Sequence, residues 1–130
     1  MTMTVAPIAL ILEDDPASRT LLSGWVTRVG WTVITATSSA EALTLLKQTR
    51  PVVVFVDLLL ADGDSGWQFM RSLKAMYSAG DDLPFCVTVS SSHSEELSYR
   101  AYEEGFRASL AKPVNRLDLL KILAQAFQSS

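Results

Sequence analysis

The stretch Pro51-Val52-Val53-Val54-Phe55-Val56-Asp57-Leu58-Leu59-Leu60-Ala61-Asp62-Gly63-Asp64-Ser65-Gly66 decides the fold. Apolar residues from Val52 to Val56, mostly β-branched, run unbroken into one acid, Asp57, and a loop rich in Gly, Asp and Ser follows at once. A run this short, with Pro51 before it and turn residues behind, predicts a strand buried on both faces, as in a parallel sheet. Asp57 then lies at the strand's C-terminal end, where open parallel sheets place their ligand sites. A carboxylate there is either a solvated strand-end residue or the centre of a site. Which of the two it is depends on whether other charged groups reach the same edge.

Working outward, Ile8 to Leu12 reads as a first buried strand, ending in Glu13-Asp14-Asp15-Pro16. Asp15 with Pro16 has the form of an N-cap and first helical residue, which leaves Glu13 and Asp14 unexplained by capping. The helix runs to Val29 with Leu21, Leu22, Trp25, Val26 and Val29 expected to face inward, and Gly30 closes it as a left-handed C-cap. Trp31 to Ala36 forms a second strand. Ser38 and Glu41 make a capping box for a helix carrying Ala42, Leu45 and Leu46. After the central strand, Gly66 to about Tyr77 predicts a helix through Phe69, Met70, Leu73 and Met76. The segment Ser78 to Asp82 predicts a loop of solvated turn residues.

Pro84 to Val89 is a fourth strand running into Ser90, Ser91 and Ser92. Ser92 with Glu95 predicts a capping box for a helix to Glu104, closed by Gly105. Ala108 to Ala111 is a short fifth strand before Lys112-Pro113. Asn115 caps a last helix with Leu117, Leu120, Leu123 and Phe127 expected inside. Five alternations of strand and helix demand a parallel sheet with right-handed crossovers and helices on both faces, an α/β doubly wound architecture. Its C-terminal edge then collects Glu13 and Asp14 from the first strand, Asp57 from the third, Ser90 from the fourth and Lys112 from the fifth.

Composition narrows the chemistry. The 130 residues allow one domain, 1–130 with a core of about 7–128, and 48% hydrophobic content is enough to bury a core. A formal charge of −3 and no basic run argue against direct nucleic-acid binding. No apolar run reaches membrane-spanning length, and the start lacks a basic, then apolar, leader pattern, so a cytoplasmic setting is expected. Cys86, the single cysteine, reads as a small core residue. Trp25, Trp31 and Trp67 read as packing residues, His93 as solvated at a helix start, and Asp62 and Asp64 as turn residues.

Close carboxylates repel and raise one another's pKa unless a cation joins them. Oxygen ligands suit a hard divalent ion such as Mg²⁺, and three carboxylates are balanced by that ion and Lys112. Such a site can receive a phosphoryl group, and Asp57 would then be the nucleophile, with Lys112 neutralising transferred oxygens and Ser90 able to hydrogen-bond one of them.

The segments Leu10-Ile11-Leu12-Glu13-Asp14-Asp15-Pro16, Val56-Asp57-Leu58-Leu59-Leu60-Ala61-Asp62-Gly63-Asp64 and Ala111-Lys112-Pro113 resemble the receiver domain of bacterial two-component response regulators. The resemblance spans nearly the whole chain. It implies a flavodoxin-like (βα)5 fold with strand order 2-1-3-4-5, an order that the chemotaxis receiver exemplifies. It implies that Asp57 accepts phosphate from a histidine kinase or histidine phosphotransfer protein. Glu13, Asp14, Asp57 and the Leu59 carbonyl would hold Mg²⁺ (or Mn²⁺), Lys112 would contact the phosphoryl group, and the bond before Pro113 would be cis. It also implies a phosphoprotein switch rather than a conventional enzyme, with self-catalysed phosphorylation and dephosphorylation only. The output protein would be met through the fourth helix, fifth strand and fifth helix, where Leu97, Tyr99 and Tyr102 are candidates for the partner face if exposed, with packing into the core as the alternative.

Several positions depart from the family pattern. Counting from Pro84 puts the switch hydroxyl at Val89, whereas counting back from Lys112 with Gly105 aligned selects Ser90, with Thr88 as alternative. Ser109 stands where the family's aromatic switch residue falls, with Phe106 nearby in a different place. Ala61 replaces a common proline in a loop one residue longer than usual. Leu59 is apolar, and is expected to shield an acyl phosphate from water. A pseudo-receiver that binds partners without phosphorylation, and a small hydrolase with an Asp nucleophile, share parts of this pattern. No effector segment follows the last helix, so the chain is expected to act through protein contacts or to be a receiver portion of a larger protein.

Overall fold

The structure is a computed structural model, described for residues 5–77, 82–92 and 94–129. The expected loop at Ser78 to Asp81 and the expectation for His93 lie outside the described residues. Ten elements alternate: β1 (Ile8–Leu12), α1 (Pro16–Val29), β2 (Thr32–Ala36), α2 (Ser39–Leu46), β3 (Val53–Asp57), α3 (Gly66–Met76), β4 (Phe85–Ser90), α4 (Glu95–Glu104), β5 (Ala108–Ala111) and α5 (Arg116–Ser129). The five strands pair parallel in the order β2-β1-β3-β4-β5, as the alternation and the resemblance implied.

Successive strand side chains point to opposite faces, and the two halves of the core follow that period. Ala9, Ile11, Val53, Phe55, Val87, Val89 and Leu110 pack on one face against Leu22 and Val26 of α1 and Leu119, Ile122, Leu123 and Ala126 of α5. Leu10, Leu12, Val54, Val56 and Cys86 pack on the other against α2, α3 and α4, through Ala42, Leu46, Phe69, Met70, Leu73 and Ala101. Every β3 residue is buried, which is why that stretch could carry an apolar run without alternation. Cys86 is fully buried, and burial pushes its thiol up to about 12.

The caps set where the helices begin. Asp15 accepts from Ser18 N–H at the start of α1, and Gly30 closes that helix in the left-handed region at φ 108°. Ser38 accepts from Glu41 N–H, but the Glu41 carboxylate returns to Thr37 N–H rather than to the N-cap itself. Asn115 accepts from Leu117 and Asp118 N–H, as expected. The start of α4 departs from expectation. Ser90 Oγ accepts the Ser92 N–H, which holds that residue in the turn, so the helix begins two residues later with Ser94 as N-cap to Leu97 N–H.

Helix facing also needs correction. Leu117 and Phe127 of α5 are exposed, because the buried stripe is Leu119, Ile122, Leu123 and Ala126. Leu21 and Val29 of α1 and Met76 of α3 are likewise on the outside. In each helix the side that meets the sheet is narrower than the run of apolar residues. Phe127 nevertheless meets Trp31 edge-on at 6.3 Å between ring centres, and Trp67 meets buried Phe106 the same way at 6.0 Å. Trp25 packs against the α1/α5 half of the core.

Candidate functional site

The C-terminal ends of β1, β3 and β5 bring their charges to one place. Glu13, Asp57 and Lys112 continue the alternation of Ile11, Phe55 and Leu110, so all three side chains rise on the α1/α5 side of the sheet edge. The ladder continues past the strands to hold them there, with Glu13 N–H donating to Ala36 O and Lys112 N–H to Ser90 O. Lys112 Nζ lies 2.6 Å from Glu13 Oε1 and 3.2 Å from Asp57 Oδ2. Oxygens of Glu13, Asp14 and Asp57 lie within 4.8 Å of one another, an acidic cluster of the kind a metal ion joins. Glu13 and Asp57 are buried and Asp14 is half-buried. The bond between Lys112 and Pro113 is cis.

The electrostatics follow from crowding two buried acids around one amine. Burial pushes the Glu13 carboxyl up to about 7; the Asp57 carboxylate adds to the rise, and Lys112 pulls against it. For Lys112 burial works in the lowering direction, but Glu13 and Asp57 outweigh it and hold the amine above its usual range.

The segment after Asp57 folds back on the end of β3. Leu59 N–H donates to Asp57 Oδ1 at 3.0 Å, and Leu59 pairs with Ser65 in an isolated antiparallel bridge. Gly66 N–H returns to Leu58 O, bringing the start of α3 against β3. A Cβ built on Gly66 would stand 2.7 Å from the Asp57 carbonyl oxygen, so only glycine fits without displacing backbone. The turn between them uses Asp62 at φ 59° and Gly63 at φ 77°, and the Leu59 side chain is 70% exposed at the rim.

Ser90 ends β4 one residue beyond Val89, the register partner of Asp57. Its hydroxyl is engaged by Ser92 N–H, and none of the hydrogen bonds found among the described residues joins it to Asp57 or Lys112. Thr88 lies two residues deeper, where its hydroxyl donates to Ser109 Oγ at 2.8 Å across the β4–β5 pair. The aromatic position is thus filled by a small polar group tied to the neighbouring strand, while Phe106 is buried in the core. Tyr99 and Tyr102 of α4 are exposed, and Leu97 is half-buried.

One contact was missed in the sequence. Asp64 is more than a turn residue: its carboxylate accepts from Ser39 N–H at 2.8 Å, Ser39 Oγ at 2.6 Å and Ser65 N–H at 2.9 Å. Burial would raise its pKa, but these three bonds outweigh it and hold the carboxyl below the usual range. Nothing in the spacing of residues 39 and 64 announces the bond, because it depends on how α2 and α3 pack side by side.

The model of the response regulator receiver domain matches residues 9–124. The chain belongs to that family. It is 34% identical over 112 residues to the response regulator MprA of a Mycobacterium, covering 85% of this chain and 46% of that protein. It is 29% identical over 116 residues to an uncharacterized 14.6 kDa protein of Leptolyngbya boryana, covering 89% and 86%. With the transcriptional regulatory protein AfsQ1 of Streptomyces coelicolor it shares 36% identity over 81 residues, 62% of this chain and 34% of that one. The receiver thus spans most of the Leptolyngbya protein but less than half of the two named regulators. Among solved structures, the CheY-like receiver domain from Methylobacillus flagellatus superposes with a TM-score of 0.79 at 26% identity, covering 94% of this chain and 99% of that one. The Vibrio cholerae chemotaxis protein CheY4 shares the fold, with a TM-score of 0.81 at 22% identity over 94% and 99%. No helix among the described residues is long and apolar enough to cross a membrane.

Proposed function

We propose that this receiver, taken as one domain over 1–130, is a phosphoryl-accepting switch in which Asp57 takes phosphate from a histidine kinase or histidine phosphotransfer protein. The observation that carries the reading is the approach of Lys112 Nζ to both Glu13 and Asp57 beside a third acid, Asp14. One Asp57 carboxylate oxygen attacks phosphorus while the P–N bond of the donor breaks. The electron pair leaves with the imidazole nitrogen, which the donor's own ring proton keeps neutral. Lys112, already at hydrogen-bond distance, follows the charge onto the transferred oxygens, and Ser90, whose Oγ accepts the Ser92 N–H, has its hydroxyl proton to give to one of them.

The donor set fits a hard cation. Glu13, Asp14, Asp57 and the Leu59 carbonyl offer only oxygens, the ligands Mg²⁺ or Mn²⁺ selects. When bound, the ion supplies neutralisation of phosphoryl charge. The chain's own residues do the rest: Leu59 N–H orients Asp57, and Lys112 keeps the buried acids from repelling each other. The added phosphoryl charge draws Ser90 and Lys112 together, moving the β4–α4 loop, α4 and β5, whose exposed Tyr99 and Tyr102 meet the output protein. The setting is cytoplasmic, and nucleic acid is not contacted directly.

The test is intact mass after incubation with acetyl phosphate and Mg²⁺. The expected result is a single phosphoryl adduct that disappears in Asp57→Asn and without Mg²⁺. No adduct, together with no spectral response to beryllofluoride and Mg²⁺, would replace this reading with that of a phosphorylation-independent interaction module.

A further inference from the structure

We propose that Asp64 is a positioning residue for the metal, acting through Ser39 and Ser65 to hold the Leu59 backbone where its carbonyl can serve as a ligand. The inference rests on the metal role given above to that carbonyl. Its own ground is a continuous set of contacts reaching from α2 to the phosphoacceptor. Ser39, the first residue of α2, gives both its backbone N–H and its hydroxyl to the Asp64 carboxylate. The same carboxylate takes the N–H of Ser65, and Ser65 bridges to Leu59. Leu59 in turn donates to Asp57 Oδ1.

Between these points Leu60 packs against the α2, α3 and α4 half of the core, and the turn beyond it projects outward. Ala61, Asp62 and Gly63 are exposed, and Asp62 and Gly63 both sit at positive φ. The turn's own bond, Asp64 N–H to Ala61 O, fixes its shape but not its place on the molecule. Leu60 anchors one side of the loop, and Asp64 the other, through contacts to Ser39 that cross to a different element and are charge-assisted, hence about twice as strong as neutral ones. Asp64 is no ligand itself, since its oxygens are committed to N–H and O–H donors and it stands outside the acidic cluster. Groups that orient ligands from behind change metal affinity by roughly 10- to 100-fold when removed, while leaving the reacting atoms in place.

The experiment is isothermal titration of Mg²⁺ into the full chain, paired with the Mg²⁺ dependence of adduct formation from acetyl phosphate. Wild type is compared with Asp64→Ala, Ser39→Ala, the double variant and the conservative Asp64→Asn. Asp64→Ala is expected to weaken Mg²⁺ binding by roughly 10-fold, at the low end for such groups. Ser39→Ala should weaken it less, and the double variant no more than Asp64→Ala, because both remove one shared contact. Asp64→Asn, which keeps an acceptor oxygen, should recover part of the loss. The half-saturating Mg²⁺ for phosphorylation should rise while the rate at saturating Mg²⁺ holds, a split that general destabilisation would not produce. A folded Asp64→Ala protein with wild-type Mg²⁺ affinity overturns the inference; if that variant does not fold, unchanged affinity in Ser39→Ala overturns it. Wild type that takes no Mg²⁺ at all overturns the metal site itself, which is a separate result.

Discussion

Replacing Gly66 by alanine sets two effects of known sign against each other. Alanine is the better helix former by about 1 kcal/mol in a helix interior and also reduces unfolded-state entropy, so a bare propensity argument expects stabilisation. At Gly66, however, the added Cβ would meet the Asp57 carbonyl oxygen at 2.7 Å, Val56 Cγ1 at 2.9 Å and Leu58 Cα at 3.0 Å. Two of these are backbone atoms, one in the last residue of β3 and one in the residue after it, and no side-chain rotation relieves them. Overpacking of this kind costs about 1–3 kcal/mol, and the first helical turn gains less from alanine than the interior does, so the clash wins. The expected net is a loss of about 1–2 kcal/mol, read in urea as a lower midpoint with an unchanged slope. Gly24, in the middle of α1 with nothing within 4 Å of a built Cβ, is the internal control. Gly24→Ala should gain about 0.5–1 kcal/mol. Because the displaced atoms belong to Asp57 and its neighbours, Gly66→Ala should also slow adduct formation, whereas Gly24→Ala should not. A Gly66→Ala protein as stable as wild type would refute the reasoning.

Leu59→Asn should hasten loss of phosphate from Asp57, since a polar side chain admits water where an exposed leucine covers the rim; decay of the adduct by mass, no faster than in wild type, would count against the shielding role. The pH dependence of stability should carry the signature of Asp64. Its folded pKa is depressed from an ordinary 3.8, so its contribution is complete above that value and fades as pH falls through the lower folded one. Wild type and Asp64→Asn should therefore converge in urea midpoint as acid protonates Asp64, and a gap that stays constant to low pH would contradict the assignment.

The fold was legible because buried parallel strands are written as short apolar runs with turn residues on either side. The convergence of Glu13, Asp14, Asp57 and Lys112 was legible for a related reason: Glu13, Asp57 and Lys112 each stand directly after such a run, Asp14 follows Glu13, and topology carries all strand ends to one edge. The Ser94 cap was not, since three serines offered equivalent registers and only the Ser90 to Ser92 turn separates them. Leu117 and Phe127 misled because a helix lying on a sheet buries a stripe narrower than its apolar content. The Ser39–Asp64 bond lay beyond reach, being a product of how two helices settle against each other rather than of any local pattern.

The parallel ladder has a further meaning for how the molecule comes into being. Ala9 must find Val53, and Val53 must find Phe85, before the phosphoacceptor strand has both its neighbours. Such long closures are slow and must be completed before they return any stability. Asp57 is the last residue of that doubly flanked strand, and its partners Glu13 and Lys112 arrive from the outer ends of the same sequence of closures. A chain caught partway through folding therefore has the aspartate but not the amine beside it, and competence to be phosphorylated becomes a report that folding has finished.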